Sequence, residues 1–164
     1  MHYRLYNPND FASLYAIEEV CFQRPLRFSR AYMRRLIDAG TSATWIADAH
    51  GAMAGFGIVE WERRAVGIHA YVPTIEVAPE YRRHGVGTGL LRRLEISAME
   101  AGACLIWLHV DKENEGAIQL YELQGYIRMA HQEDFYAPGR GAYRYQKELR
   151  AGKAASTVDS VNLG

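Results

Sequence analysis

The hydrophobic pattern changes period several times along the chain, and each change marks an element. His2 to Tyr6 alternates like a short strand. Asn7-Pro8-Asn9-Asp10 reads as a turn opening a helix that carries Phe11, Leu14, Tyr15, Ile17, Glu18 and Cys21. Pro25 breaks this helix. Ser29 is placed to cap a second one through Tyr32, Met33, Leu36 and Ile37, closed by Gly40. Ala43 to Asp48 and Ala54 to Trp61 read as strands joined by a tight turn at His50-Gly51, a hairpin. Ala65 to Val77 is a third strand, where Pro73 predicts a bulge or distortion.

A longer helical period follows, to about Ala101. Val86, Leu90, Leu91, Leu94 and Ala98 form its apolar stripe, with Arg92, Arg93, Glu95 and Glu100 expected to face away. Gly102 supplies a stop. Cys104 to Val110 is almost continuously apolar, which predicts a strand buried on both faces beside a parallel neighbour. Residues 66–110 therefore read as a strand–helix–strand crossover. A short helix from Glu115 to Gln124 ends at Gly125. Tyr126 to His131 and Ala142 to Leu149 form a closing pair of strands joined by residues 132–141. Residues 1–149 are expected to form a single domain. The small, polar stretch 150–164 is expected to be a flexible tail.

Composition adds limits. Nineteen basic and nineteen acidic side chains cancel, so nothing global favours nucleic acid or a membrane surface, and a bound anion needs a local site. Cys21 and Cys104 both sit in apolar surroundings and are expected as buried, reduced thiols. The first residues lack a secretory apolar core, so a cytoplasmic location is expected. The six histidines have no metal-ligand spacing, and no metal is expected.

The most informative segment is Arg82-Arg83-His84-Gly85-Val86-Gly87-Thr88-Gly89, at the head of the long helix. A dinucleotide fingerprint needs a third glycine where Leu90 stands, and a phosphate-binding loop of the Gly-Lys-Ser/Thr type is absent. A third reading remains. A helix start offers unpaired N–H groups and partial positive charge, and Gly85 and Gly87 leave room for a phosphate to reach the backbone. Arg82 and Arg83 add full charges beside it. The alternative is a glycine-rich turn with solvated arginines.

This segment, with Val77-Ala78-Pro79-Glu80-Tyr81 before it, resembles the coenzyme-binding motif Gln/Arg-x-x-Gly-x-Gly/Ala of the GNAT superfamily of acyl-CoA-dependent N-acyltransferases. The order of elements over residues 1–149 is also similar. The resemblance implies an α/β fold with a mixed, mostly antiparallel sheet, a splayed parallel central strand pair and helices on both faces. It implies acetyl-CoA as cosubstrate, its diphosphate held by Arg82, Arg83, His84 and the backbone of Gly85, Val86, Gly87 and Thr88, and its arm paired with Val77. Asn114 would bond the arm.

Within the superfamily, Leu108-His109-Val110-Asp111 with Asn114, Ala117-Ile118, Leu120-Tyr121 and Gly125-Tyr126 is similar to the RimI-type protein N-terminal acetyltransferases. Phe135-Tyr136 and Ala142-Tyr143 fit that group's late hairpin, although Arg140-Gly141 replace an acidic pair. The usual basic glutamate is replaced by His109. The imidazole's ordinary pKa of about 6.5 suits proton acceptance near neutrality. The resemblance implies His109 as base, Tyr121 as acid toward the leaving thiolate, and the Val77 N–H as oxyanion donor. On the residues alone, His109 is equally a hydrogen-bonded core histidine and Tyr121 a packing residue. Glu76 is a rival base, an anchor for the acceptor's amine or a surface strand residue.

The acceptor implied is the α-amine of a protein or peptide N-terminus. A small amine (polyamine, amino acid or aminoglycoside) and a non-catalytic acyl-CoA-binding module are the alternatives. Phe22, Leu26, Tyr136 and Tyr143 are expected to wall the acceptor slot. Arg24, Arg27 and Arg140 would favour an acidic residue near the acceptor's end, or merely form a solvated rim. The protein is expected to be a monomer or homodimer.

Overall fold

In the computed structural model, which describes residues 1–149, seven strands form one sheet. They are β1 (His2–Leu5), β2 (Ser42–Ala49), β3 (Ala52–Arg64), β4 (Gly67–Val77), β5 (Ala103–Asp111), β6 (Ile127–Ala137) and β7 (Arg140–Glu148), in the spatial order β1-β2-β3-β4-β5-β7-β6. Every neighbouring pair is antiparallel except β4 and β5. That parallel pair needs a crossover, supplied by helix α3 (Val86–Glu100). The stretch 150–164 lies outside the described residues.

Helices α1 (Phe11–Cys21) and α2 (Arg30–Asp38) cover one face of the sheet, burying Leu14, Met33 and Leu36 on Ile46, Phe56 and Ile58. Helix α3 and α4 (Glu115–Leu123) cover the other, where Leu91, Leu94 and Tyr121 meet Val59, Ile106, Leu108 and Tyr145. The Ser29 hydroxyl accepts from the Tyr32 N–H, the cap its sequence position predicts. The β2–β3 turn runs through His50 and Gly51, both at positive φ (52° and 92°), as a two-residue hairpin requires. Gly89 has a packing role, since a Cβ there would lie 2.0 Å from the Tyr3 hydroxyl.

Four expectations need correction. Strand β5 is buried on one face only. Its inner residues Ile106, Leu108 and Val110 lie under α3 and α4, while Leu105, Trp107 and His109 are only half-buried because α1 and α2 stop short of this part of the sheet. Cys104, at the uncovered start of β5, is exposed, and Cys21 is half-buried; both are free thiols. Glu95 does not face away. It is buried on α3, where the Tyr126 hydroxyl (2.9 Å) and the Lys147 ammonium (3.2 Å) donate to it. Residues 132–141 are not an open connection but continue both strands. A four-residue excursion between the pairs Gln132↔Ala142 and Ala137↔Arg140 is closed by the Gly139 N–H donating to Asp134. Among the described residues no helix is long and apolar enough to cross a membrane.

Candidate active site

The site begins where β4 and β5 part. Their pairing runs from Ile68↔Ala103 to Val72↔Leu108 and stops. Pro73 follows at once. It has no N–H to give to a ladder, and with Val72 it forms a bulge opposite Val59, between the pairs Glu60↔Tyr71 and Ile58↔Thr74. Beyond it, Thr74 to Val77 follow β3, while His109 to Asp111 follow β7. The gap leads into a cavity of about 130 Å³ whose walls include Glu18, Phe22, Leu26, Thr74, His109, Asn114, Tyr121 and Tyr136.

On the β4 side the Ala78 N–H donates to the Ala54 carbonyl. Antiparallel alternation then turns the N–H and C=O of Val77 away from β3. The Val77 carbonyl accepts from Arg82 Nε (3.1 Å) and the Cys21 thiol (3.7 Å). Arg82 thus ties the end of β4 to the turn before α3.

At the head of α3, Gly85 takes φ 76° and Arg83 φ 64°, and no side chain caps the helix. The first intrahelical bond is Gly89 N–H to Gly85 C=O, so the N–H groups of Val86, Gly87 and Thr88 precede the helical ladder. Open space surrounds the position a Gly85 Cβ would occupy. A Cβ on Gly87 would press on Leu120 at 3.1 Å. Arg82, Arg83 and His84 are exposed around this turn, His84 with Nδ1 3.3 Å from the Tyr81 carbonyl. These features fit a diphosphate resting on the helix head.

His109 is held by aromatic neighbours. Its Nδ1 lies 2.9 Å from the Tyr71 hydroxyl, its ring stacks on Phe135 with centroids 4.0 Å apart, and Trp107 and Tyr71 meet it edge-on. Nε2 is buried without a hydrogen-bond partner. Burial holds the imidazole pKa below its ordinary value, and the Arg144 charge adds to this. Gln132 beside the ring opposes the shift without completing a hydrogen bond. Burial raises the phenol pKa of Tyr71, Tyr121 and Tyr136, so all three keep their protons at neutral pH.

Glu76 does not enter the gap. It is buried toward α1, accepts from the Thr74 hydroxyl at 2.7 Å and lies against the Glu18 carboxyl. Burial first, and Glu18 next, push its pKa well up. Glu18 and Asp111 are the acidic groups on the cavity wall, and Asp111 is paired with Arg140. Asn114 caps α4 through Oδ1, accepting from the Ala117 N–H at 3.1 Å, and its amide nitrogen remains for a ligand. Phe22, Leu26 and Tyr136 wall the cavity as expected.

Tyr143 does not. It pairs with Val110, one position out of phase with the His109↔Arg144 pair, so its ring lies on the opposite face, under Arg128 and beside His131. Arg27 and Arg140 are engaged within the chain, Arg27 with the Phe22 and Glu19 carbonyls and Arg140 with Asp111. Sequence reasoning missed Tyr71 and Trp107, whose place depends on strand register, and Glu18, whose helical spacing matches the apolar stripe of α1.

A model of the acetyltransferase (GNAT) family matches residues 11–126. Streptothricin acetyltransferase of Streptomyces lavendulae is 37% identical over 89 residues, covering 52% of this chain and 44% of that protein. The ribosomal protein bS18-alanine N-acetyltransferase of Escherichia coli K12 is 33% identical over 87 residues, covering 53% of this chain and 56% of that protein. The chain thus spans about half the length of the curated relatives it matches. The crystal structure of Arabidopsis thaliana NAA60 in complex with acetyl-CoA superposes with TM-score 0.79 at 20% identity, over 90% of this chain and 98% of that one. This likeness is one of fold, and it agrees with the mixed sheet and its single parallel pair.

Proposed function

We propose, from the premise that the chain belongs to the GNAT acetyltransferase family, that it moves an acetyl group from acetyl-CoA to a primary amine. The acceptor we favour is the α-amine of a protein or peptide N-terminus. The observation that carries the reading is the end of β4–β5 pairing at Val72↔Leu108, which leaves a gap between the uncapped head of α3 and the cavity of His109 and Tyr121.

Acetyl-CoA supplies the acetyl thioester, whose thiolate the amine replaces. The N–H groups of Val86, Gly87 and Thr88 hold the diphosphate, with the exposed Arg83 adding charge. Val77 directs its N–H to the developing oxyanion, and Arg82 fixes that strand end through the carbonyl. Asn114 donates its amide N–H to the coenzyme arm.

His109 takes the amine's proton. Its lowered pKa keeps the ring neutral near pH 7, and an Nδ1–H donated to the Tyr71 oxygen leaves the Nε2 lone pair for the proton. An α-amine of pKa about 7.7–8.0 gives up this proton far more readily than a lysine amine near 10.4. Tyr121 retains its hydroxyl proton and passes it to the leaving thiolate.

The uncovered sheet face favours a chain-like acceptor. Past His109 the surface continues over Tyr71 and Trp107 into a groove with Glu60, Trp61 and His69, which leaves room for residues behind the reacting amine. The similarity to a streptothricin acetyltransferase supports a small amine as the second reading. N-terminal peptides and free amines, each offered with acetyl-CoA and followed by thiol release and product mass, separate the two. Tight acetyl-CoA binding without thiol release for any amine would leave only a binding module.

A further inference from the structure

The groove beyond His109 encloses about 370 Å³ on the sheet face that α1 and α2 leave open. A row of three side chains crosses it. Glu60 on β3 pairs with Tyr71 on β4, and Tyr71 pairs with Trp107 on β5, so all three project from one face. The Tyr71 and Trp107 rings lie with centroids 4.4 Å apart, and both meet His109 edge-on. Glu62 and Arg64 follow Glu60 on this face by strand alternation, and His69 lies opposite Glu62.

The charges along this groove do not balance. Arg64 pairs with Glu62 at 2.5 Å. Glu60 is half-buried and forms no ion pair among the described residues. Burial first, and then the Glu62 charge, raise its pKa, and no hydrogen bond opposes them. Arg144 shares the face, but its guanidinium lies over the Trp107 ring at 4.3 Å, on the β7 side of the row. The β3 end is therefore acidic and the β7 end basic. A ligand that complements this arrangement has an apolar stem to lie on the two rings and a cationic head to meet Glu60, with its outer side in water. Lysine and arginine side chains have that form. By strand spacing and rise, the Cα atoms of Glu60 and His109 are about 12 Å apart. One or two residues of extended chain span about 3–7 Å, and the stem of a long side chain bridges the remainder.

We propose that Glu60 is a specificity-determining residue that receives a basic side chain from the second or third position of the acceptor peptide, with Tyr71 and Trp107 carrying the stem. This rests on the acetyl-transfer reading and deepens it: the acceptor presents its α-amine to His109 and continues with lysine or arginine. A neutral side chain there leaves Glu60 without a counter-charge, and an acidic one adds repulsion. The gain is in binding, because Glu60 is remote from the reacting atoms.

The test uses three C-terminally amidated peptides, Ala-Lys-Lys-Ala, Ala-Gln-Gln-Ala and Ala-Glu-Glu-Ala, titrated into the ¹⁵N-labelled protein and followed through the amides of Glu60 and Tyr71. The lysine peptide should bind at least tenfold tighter than the glutamine peptide and shift both amides. Equal affinities, no binding of the lysine peptide, or binding that leaves these amides unmoved would overturn the proposal in the wild-type protein alone. In Glu60→Gln the preference should fall to within twofold, and in Glu60→Lys it should turn toward the glutamate peptide, while acetyl-CoA affinity stays within twofold as a check of folding. A lysine preference that survives in both variants would also overturn the proposal. In kinetics the lysine preference should appear in KM and leave kcat within twofold. If the lysine peptide docks as described while no peptide is ever acetylated, docking stands and the acetyl-transfer reading fails. If all three peptides are acetylated with equal KM, the transfer reading stands and the role of Glu60 falls.

Discussion

Replacing Tyr71 with phenylalanine removes a single oxygen, the one 2.9 Å from His109 Nδ1. The ring stays, so the contact with Trp107 at 4.4 Å persists. The loss falls on the imidazole, whose Nδ1 is left without its partner in a part-buried site. A buried polar group deprived of its hydrogen bond costs about 1–3 kcal/mol. At about 1.36 kcal/mol per factor of ten, that range is about 5- to 150-fold in rate if the whole cost falls on the productive tautomer. Removing the proposed base altogether, in His109→Ala, should cost about 10²- to 10⁴-fold, the usual range for a positioned general base. The two losses must overlap, because Tyr71 acts through His109. Thiol release at saturating acetyl-CoA, measured for both single variants and the double, checks this. The expected result is a Tyr71→Phe defect smaller than that of His109→Ala, and a double variant within twofold of His109→Ala. Full activity in Tyr71→Phe, or two defects that multiply, would refute the Tyr71–His109 coupling.

Other consequences follow from the same geometry. His109 has a lowered pKa, so it is neutral and active above that value; kcat should stay flat down through about pH 6.5 and fall only at lower pH, with the acid limb absent in His109→Ala. Gly85→Ala puts a side chain at φ 76° and in the open space where the proposed diphosphate would lie; unfolding should show a loss of about 1 kcal/mol and calorimetry at least tenfold weaker acetyl-CoA binding. Glu76 has a raised pKa, so its stabilising contribution is complete below the ordinary carboxyl value and fades as pH rises through the raised one; denaturant midpoints of Glu76→Gln should lack this loss with rising pH. Leu94→Ala, fully buried on α3, should lower unfolding free energy by about 2–5 kcal/mol in urea titrations.

The crossover was legible because each part carries a local signal. Pro73 marked the bulge at which β4 leaves β5, and the glycines around Val86 marked the helix head. His109 and Tyr121 followed from a resemblance, and the cavity holds both. What escaped depends on register and on which face lacks a cover. Trp107 and His109 in an apolar run look like core until α1 and α2 are seen to end before β5. Tyr71 reaches His109 only through the Tyr71↔Trp107 register. Tyr143 missed the cleft by one residue of phase, and Glu95 is drawn inward by Lys147 and Tyr126, which lie far away in sequence.

The most direct examination of the account is an amide spectrum of the ¹⁵N-labelled protein with and without acetyl-CoA. Resonances of Gly85, Val86, Gly87 and Thr88 should move together with those of Ile75 and Val77, at one saturating concentration. Saturable binding that moves neither the α3 head nor the β4 end would contradict the account.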